Sequence, residues 1–396
     1  MKFKIRCVPE DFKVDEITSI VLKKRGSYAV YRLSKRGRNT LDALEELSRQ
    51  MRIPFDAFGY GGRKDRHAVA TQHISICKGP AKNLEVKGAR FEFVGFAQRP
   101  MGPDLIVKNR FSIVVRDLAA GEADEALSQA SEAVRHGYPN YFDDQRFGSY
   151  DPLQGFIGEK VLKGHLNGAL KILLTAPQES DDAAEVERKK KLFDAWKDWE
   201  ACLSLARTNE EKTVFHLLKK KPGALLELLK NVSRNELSLY FSAYQAFIWN
   251  ETVRRLLKEK EKGPWRGYPG AAGDYLFYEG LSDPGQAYFK KRDLPTMSAK
   301  TEMPDEDSRR IYAAILSENG IERPMFNKIQ LRQAWFKTFD RAALARPDDF
   351  SSSKDEDELY RGRSKLTLTF SLPRGGYGTM FLKRIFSERE RPGGSG

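Results

Sequence analysis

The sequence is poor in the residues that build metal and disulfide sites. Only three of 396 residues are cysteine, Cys7, Cys77 and Cys202. Their odd number and wide separation argue against a disulfide framework and a cysteine-based zinc site. The five histidines, His67, His73, His136, His165 and His216, are equally scattered, so no metal is expected. There is no GxxxxGK[ST] and no HExxH, and Gly59-Tyr60-Gly61 does not continue as a dinucleotide fingerprint. No cofactor is expected. No apolar run approaches the roughly 20 residues that cross a bilayer. The opening Met1-Lys2-Phe3-Lys4-Ile5-Arg6 has no apolar core of a leader and reads as a strand, so a cytoplasmic protein is expected.

What the chain has in excess is positive charge. Lys and Arg number 68 against 55 Asp and Glu, a net charge of +13 and a pI near 9.4. That balance favours polyanions over acidic proteins or neutral metabolites. With 11% aromatic residues for base stacking, RNA or DNA is the expected partner. The stretch Gly59-Tyr60-Gly61-Gly62-Arg63-Lys64-Asp65-Arg66-His67 concentrates these features. Asp65 is a lone acid among Arg63, Lys64 and Arg66, and neighbouring cations favour its ionised form even where water is removed. The glycines allow backbone amides to approach an anion. A nucleophilic carboxylate beside a phosphate is one reading; a surface turn with Asp65 as a cap is the other.

Apolar alternation predicts strands over 2–8, 12–17, Tyr28–Leu33, Thr71–Cys77, Arg90–Phe96 and Leu105–Val115. Helical spacing predicts helices from Leu41 to Pro54 and over Gly121–His136. From about 155 the character becomes helical: Ile157–Leu174 as a pair, Ala183–Trp199, Ala224–Leu229, and one long helix from Leu237 to Leu257 whose aromatic stripe reads as core. The basic runs Arg188–Lys191 and Lys219–Lys221 read as solvated helix faces, with an extension of a nucleic-acid footprint as the alternative. Pro139–Gly148 reads as an aromatic-anchored loop, with base stacking as the alternative. Residues 351–363 read as a loop, Lys365–Ser371 as a strand, Tyr377–Phe386 as a helix, and Pro392–Gly396 as disordered. A lone strand and helix need an existing core. The expectation is an α+β fold of two domains: a discontinuous one, 1–154 and 340–396, with a mixed or antiparallel sheet and flanking helices, and a mostly helical insertion, 155–339.

Several motifs occur in order: Pro9-Glu10-Asp11-Phe12, Lys35-Arg36-Gly37-Arg38-Asn39-Thr40, Gly59 to Gln72, Asn109-Arg110-Phe111, Pro139-Asn140-Tyr141-Phe142, Gln145-Arg146-Phe147-Gly148, Ser242-Ala243-Tyr244-Gln245 and Leu372-Pro373-Arg374-Gly375-Gly376-Tyr377. Together they resemble the TruD family of tRNA pseudouridine synthases from end to end, with 155–235 and 260–360 similar only in general character. The resemblance implies a pseudouridine synthase sheet with an inserted TruD domain, and a cofactor-free isomerase that turns a uridine of tRNA, expected at position 13, into pseudouridine. It implies Asp65 as the catalytic aspartate acting on a flipped-out uridine, at the sugar, at the base or on the ribose 2′ proton. It further implies that Arg6, Phe12, Lys64, Asn109, Phe111 and Tyr377 bind the substrate, Phe12 and Phe111 offering ring faces and Asn109 its amide. Arg6 stands where the family can carry Lys, and Tyr377 where it can carry Phe. A cleft between the domains, with Arg254 and Arg255 as backbone contacts, is the expected place for the RNA. Two other readings stand beside it: a non-catalytic basic RNA-binding protein or RNA chaperone on the same scaffold, and a phosphate-handling enzyme built on the glycine loop.

Overall fold

The computed structural model describes residues 3–62, 64, 68–178 and 180–389. The chain forms two compact units, Met1–Tyr138 with Ala345–Glu388, and Pro139–Leu344 with Arg389–Gly396.

The first unit is built on a nine-stranded sheet. Its strands are β1 (Phe12–Thr18), β2 (Tyr28–Lys35), β3 (Phe58–Tyr60), β4 (Val69–Cys77), β5 (Leu84–Val86), β6 (Ala89–Ala97), β7 (Ile106–Leu118) and a C-terminal hairpin of Asp348–Glu356 and Ser364–Pro373. The order runs from Asp348–Glu356 through Ser364–Pro373, β7, β1, β4, β2 and β6 to β5, with β3 also on β4. Only β1 and β4 pair in parallel among these; the other pairs are antiparallel. The returning strand Ser364–Pro373 lies along β7, with Phe370 opposite Phe111 and Leu372 opposite Asn109.

Alternation drives this sheet. In β1, Phe12, Val14 and Glu16 are buried while Lys13 and Asp15 are exposed, because successive side chains of a strand face opposite ways. Helix α1 (Thr40–Met51) lays Ala43, Leu44 and Leu47 on Tyr31, Leu33, Ile74 and Phe91. Asn39 caps it by accepting from the Asp42 amide at 2.9 Å. Helix α2 (Ala120–His136) buries Ala123, Ala126, Ala130 and Ala133, a narrow stripe of small residues at helical spacing. The C-terminal helix Gly378–Ile385 is amphipathic, with Phe381 against Phe370 and Tyr138.

Two local expectations are corrected. Residues 351–363 do not form a simple loop, since Asp348–Glu356 is an edge strand. Nearly every residue of it is exposed, so neither face imposes apolar alternation, and its Lys354, Asp355 and Glu356 suit an edge that must not recruit another strand. Residues 2–8 form no continuous strand among the described positions; only Lys4 bridges to Arg116.

The second unit is mostly helical: α3 (Ile157–Leu162), α4 (Leu166–Thr175), α5 (Ala183–Asp194), α6 (Trp199–Leu205), α7 (Asn209–Lys220), α8 (Leu225–Lys230) and α9 (Arg234–Lys260) come first. Asp283–Phe289 and Glu306–Glu318 follow, with short strands between. The long α9 opens on a capping box of Ser233 and Glu236 and buries Phe241, Tyr244, Ile248 and Trp249. Its aromatic stripe is core. Arg188 is not on a solvated face, being buried and paired with Glu185 and Glu211 at 2.9 Å from the latter. A buried guanidinium needs such partners to offset its lost hydration. In the loop Pro139–Gly148, Tyr141, Phe142 and Phe147 are buried, and the Tyr141 hydroxyl donates to the Leu276 carbonyl at 3.0 Å. The loop is aromatic-anchored. No described helix is long and apolar enough to cross a membrane.

Candidate active site

The site begins with the register of β1 on β7. Glu16 lies directly opposite Asn109, and Val14 opposite Phe111. Asn109, Phe111 and Ile113 alternate onto the buried face of β7. A carboxylate and an amide therefore meet on a face that is otherwise apolar. Glu16 is held there by two partners. Its Oε1 accepts from the His73 amide at 3.0 Å, and its Oε2 lies 3.2 Å from Lys64 Nζ in ion-pair geometry. The same Nζ donates to Asn109 Oδ1 at 2.5 Å. With the Glu16 side chain 0% and the Lys64 side chain 11% exposed, neither charge can be shed to water, so each fixes the other.

The loop before β4 is anchored by polar side chains beneath it. Thr40 Oγ1 accepts from the Lys64 amide at 3.0 Å and donates to Gln72 Oε1 at 2.8 Å. Gln72 Nε2 in turn donates to the Gly62 carbonyl at 3.2 Å. Gly62 and Lys64 are thus held on either side of position 63. Asp65, the expected catalytic aspartate, lies outside the described residues, as do Arg63, Arg66 and His67.

An aromatic group adjoins this polar one along the same strands. Phe12 meets Phe111 edge to face at 6.3 Å, and Phe111 stacks on Phe370 at 5.4 Å. The Arg6 guanidinium lies 4.4 Å over the Phe12 ring, close enough for a cation–π contact. Tyr377, half-buried, stands at the N-terminus of the last helix. The next residue, Gly378, touches Phe111 so closely that a Cβ there would sit 2.9 Å from a ring carbon. The structure brings Arg6, Phe12 and Phe111 together, and Lys64 with Asn109.

The turn that delivers Phe12 is tied down by ions. Arg116 on β7 bonds Asp11 through Nε at 3.0 Å, Asp357 at 2.9 Å and Glu358 at 3.0 Å. Asp11, Arg116 and Asp357 are all buried. Arg116 holds the Glu358 carboxyl down, with Lys365 assisting, at about 2. For Asp357, burial alone would raise the pKa, but the amides of Asp117 and Leu359 and the Arg116 guanidinium outweigh it and the net shift is downward. Burial lowers the His73 imidazole below 6.5, opposed by Glu16, so it is neutral at pH 7.

Glu16 was missed by the sequence reading. Its signal was present: it follows Phe12 and Val14 at the period of the strand, so a carboxylate occupied a core-facing position. Arg254 and Arg255 belong to the second unit and are already engaged. Arg254 forks onto Glu251 at 2.7 Å, and Arg255 pairs with Glu251 and Glu318 at 2.6 Å.

The family model of tRNA pseudouridine synthase D (TruD) matches residues 1–279 and 290–385. The chain belongs to the TruD family. A probable tRNA pseudouridine synthase D 1 of Methanococcus maripaludis is 34% identical, over 97% of this chain and 99% of its own. The tRNA pseudouridine synthase D of Leptospira interrogans is 31% identical, over 97% of this chain and 96% of its own. A crystal structure from Methanosarcina mazei, named a putative TruD, superposes with a TM-score of 0.71 at 23% identity, covering 97% of this chain and 93% of that one. At that identity it establishes the fold, which is the α+β TruD architecture. Of the TruD segments named from sequence, Pro9–Phe12, Asn109–Phe111 and Leu372–Tyr377 come together around Phe111 in the first unit.

Proposed function

We propose that this protein converts a uridine of tRNA, at position 13, into pseudouridine, with Asp65 as the catalytic carboxylate and the first unit housing the chemistry. The observation that carries the reading is the Glu16–Lys64–Asn109 group, whose lysine immediately precedes Asp65 in the chain and whose strands carry Phe12 and Phe111. In this reading the uridine leaves the RNA stack and its base lies against the phenylalanine rings. Asn109 presents Nδ2 to a uracil oxygen, a donor without a bond to any described residue once Oδ1 is taken by Lys64. In the chain Asp65 lies among Arg63, Lys64 and Arg66, and cations beside a carboxylate favour its ionised form where water is excluded. Asp65 then acts at the sugar, at the base or on the ribose 2′ proton, each a route to breaking the C1′–N1 bond. N1 keeps the bonding electrons; the uracil turns, C5 bonds to C1′, the hydrogen of C5 leaves as a proton, and N1 takes up a proton, so that the product is an isomer of the substrate.

Tritium release from tRNA transcribed with 5-tritiated uridine tests the reaction, since forming the C5–C1′ bond must expel that hydrogen. The intact protein releases tritium and Asp65→Asn does not, while RNA affinity stays within a few fold because one acid contributes little to polyanion binding. Substantial release by Asp65→Asn removes Asp65 from this role. Release from a transcript whose uridine 13 is replaced by cytidine removes the position.

A further inference from the structure

In the second unit, the segment after Glu306–Glu318, which leaves the short 3-10 helix Arg323–Lys328, passes a turn at 332–333 and runs on as a strap from Ala334, has a composition unlike its surroundings. Asn327–Phe339 holds Lys328, Arg332 and Lys337 and no acidic residue. Ala334 and Phe336 are buried while Trp335 and Lys337 are exposed, the alternation an extended chain produces. Phe336 anchors it, stacked on Phe241 at 4.6 Å with planes 5° apart and edge-on to Phe326 at 5.3 Å.

The backbone beyond is fixed as well. Gln245 Nε2 donates to the Lys337 carbonyl at 3.2 Å, the Phe339 amide donates to Thr296 Oγ1 at 3.1 Å, and the Thr296 amide donates to the Phe339 carbonyl at 3.0 Å. The strap cannot roll over to hide its outer face. That face leaves Trp335 57% and Phe339 44% exposed. Four residues of extended chain separate the two rings by about 13 Å. Arg234 of α9 lies 5.1 Å over the Trp335 ring. None of Arg234, Lys328, Arg332 and Lys337 is ion-paired with a described residue, in contrast to Arg254 and Arg255.

We propose that this strap is a docking site for unpaired nucleotides of the RNA, Trp335 and Phe339 receiving bases on their rings and the uncommitted cations receiving phosphates. The inference rests on the RNA-modifying reading above and extends it to a second binding surface. Charge complementarity selects the occupant: exposed aromatics with Arg234 over one ring and Lys337 between the two, in a stretch without an acid until Asp340, match a polyanion that also carries aromatic faces. A duplex buries its base faces in the stack, so the site suits loops or single strands. Rings too far apart to share one base suit bases splayed from one another.

The test uses the full chain with Asp65→Asn, an unmodified tRNA transcript and a short oligouridylate, with Kd measured over a range of salt concentrations. Trp335→Ala is expected to raise Kd for both RNAs by about 5- to 100-fold with the salt slope unchanged, and Trp335→Phe to recover most of the loss. Lys337→Ala is expected to lower the salt slope by about 1. Because both rings are exposed, the variants keep the urea midpoint of the parent. Unchanged Kd in the Trp335→Ala, Phe339→Ala double variant overturns the proposal. So does a chain that sediments as a dimer which Trp335→Ala splits, since the occupant is then a second copy. Tritium release by the otherwise intact enzyme separates the two claims: release with unchanged Kd in the double variant sinks the strap alone, whereas no release with Kd weakened by Trp335→Ala sinks the reaction and leaves the strap standing.

Discussion

A buried carboxylate in a strand has to be justified by its partners, and Glu16 has two: the His73 amide and the Lys64 ammonium. Its position opposite Asn109 means that one lysine nitrogen ties two strands to the loop that carries Asp65. Glu16→Gln keeps the shape and removes the charge. Lys64 is then an uncompensated, largely buried cation, and the protein loses up to about 3 kcal/mol in urea unfolding. The more telling expectation is kinetic. kcat for tritium release falls about tenfold or more as Lys64, which precedes Asp65 in the chain, loses its anchor, while RNA Kd changes little. A Glu16→Gln enzyme with unaltered kcat limits Glu16 to stability.

At the scale of elements, the ladder β1–β7–Ser364–Pro373 brings together segments separated by hundreds of residues, and the Arg116 network fastens it at one end. Arg116→Leu leaves Asp11 and Asp357 buried and unpaired, and should cost about 3–5 kcal/mol. It should also change the acid response. The Asp357 and Glu358 carboxyls are held below their ordinary values in the folded state. Their stabilisation is therefore complete above the unfolded carboxylate values and is lost as the pH falls through the folded ones, from 4.5 toward about 2 for Glu358. Urea midpoints measured from neutral pH down through this window fall less steeply for Arg116→Leu than for the parent. Equal slopes would place the acid response elsewhere. His73 has the same sign: its lowered pKa favours the neutral form, so its contribution is present above 6.5 and declines below it.

At the scale of the whole molecule, the surplus of +13 is not uniformly available to RNA. Many cations are spent within the protein, as Arg116, Arg188, Arg254 and Arg255 are. Only uncommitted charges release counterions when a polyanion binds. Arg254→Ala is accordingly expected to leave the slope of log Kd against log salt unaltered within error, although the sequence offers Arg254 as a contact to the RNA backbone. A slope lowered by about 1 would show that the Glu251 pairing gives way to phosphate.

The sequence by itself determined the α+β class, most strands and helices, the aromatic core of α9 and the set of motifs, because these rest on local periodicity and composition. Phe12 and Val14 announce a buried strand face within five residues. The edge strand Asp348–Glu356 was illegible for the converse reason, since with both faces in water nothing constrains its pattern. Only the tertiary structure decided that Glu16 pairs with Lys64 across 48 positions of chain, that Arg188 and Arg254 are neutralised, and that Trp335 stays outside while Phe336 goes in. Charge and aromaticity belong to residues, but whether a charge is spent or a ring is hidden depends on what the fold places beside it, and those neighbours are remote in sequence.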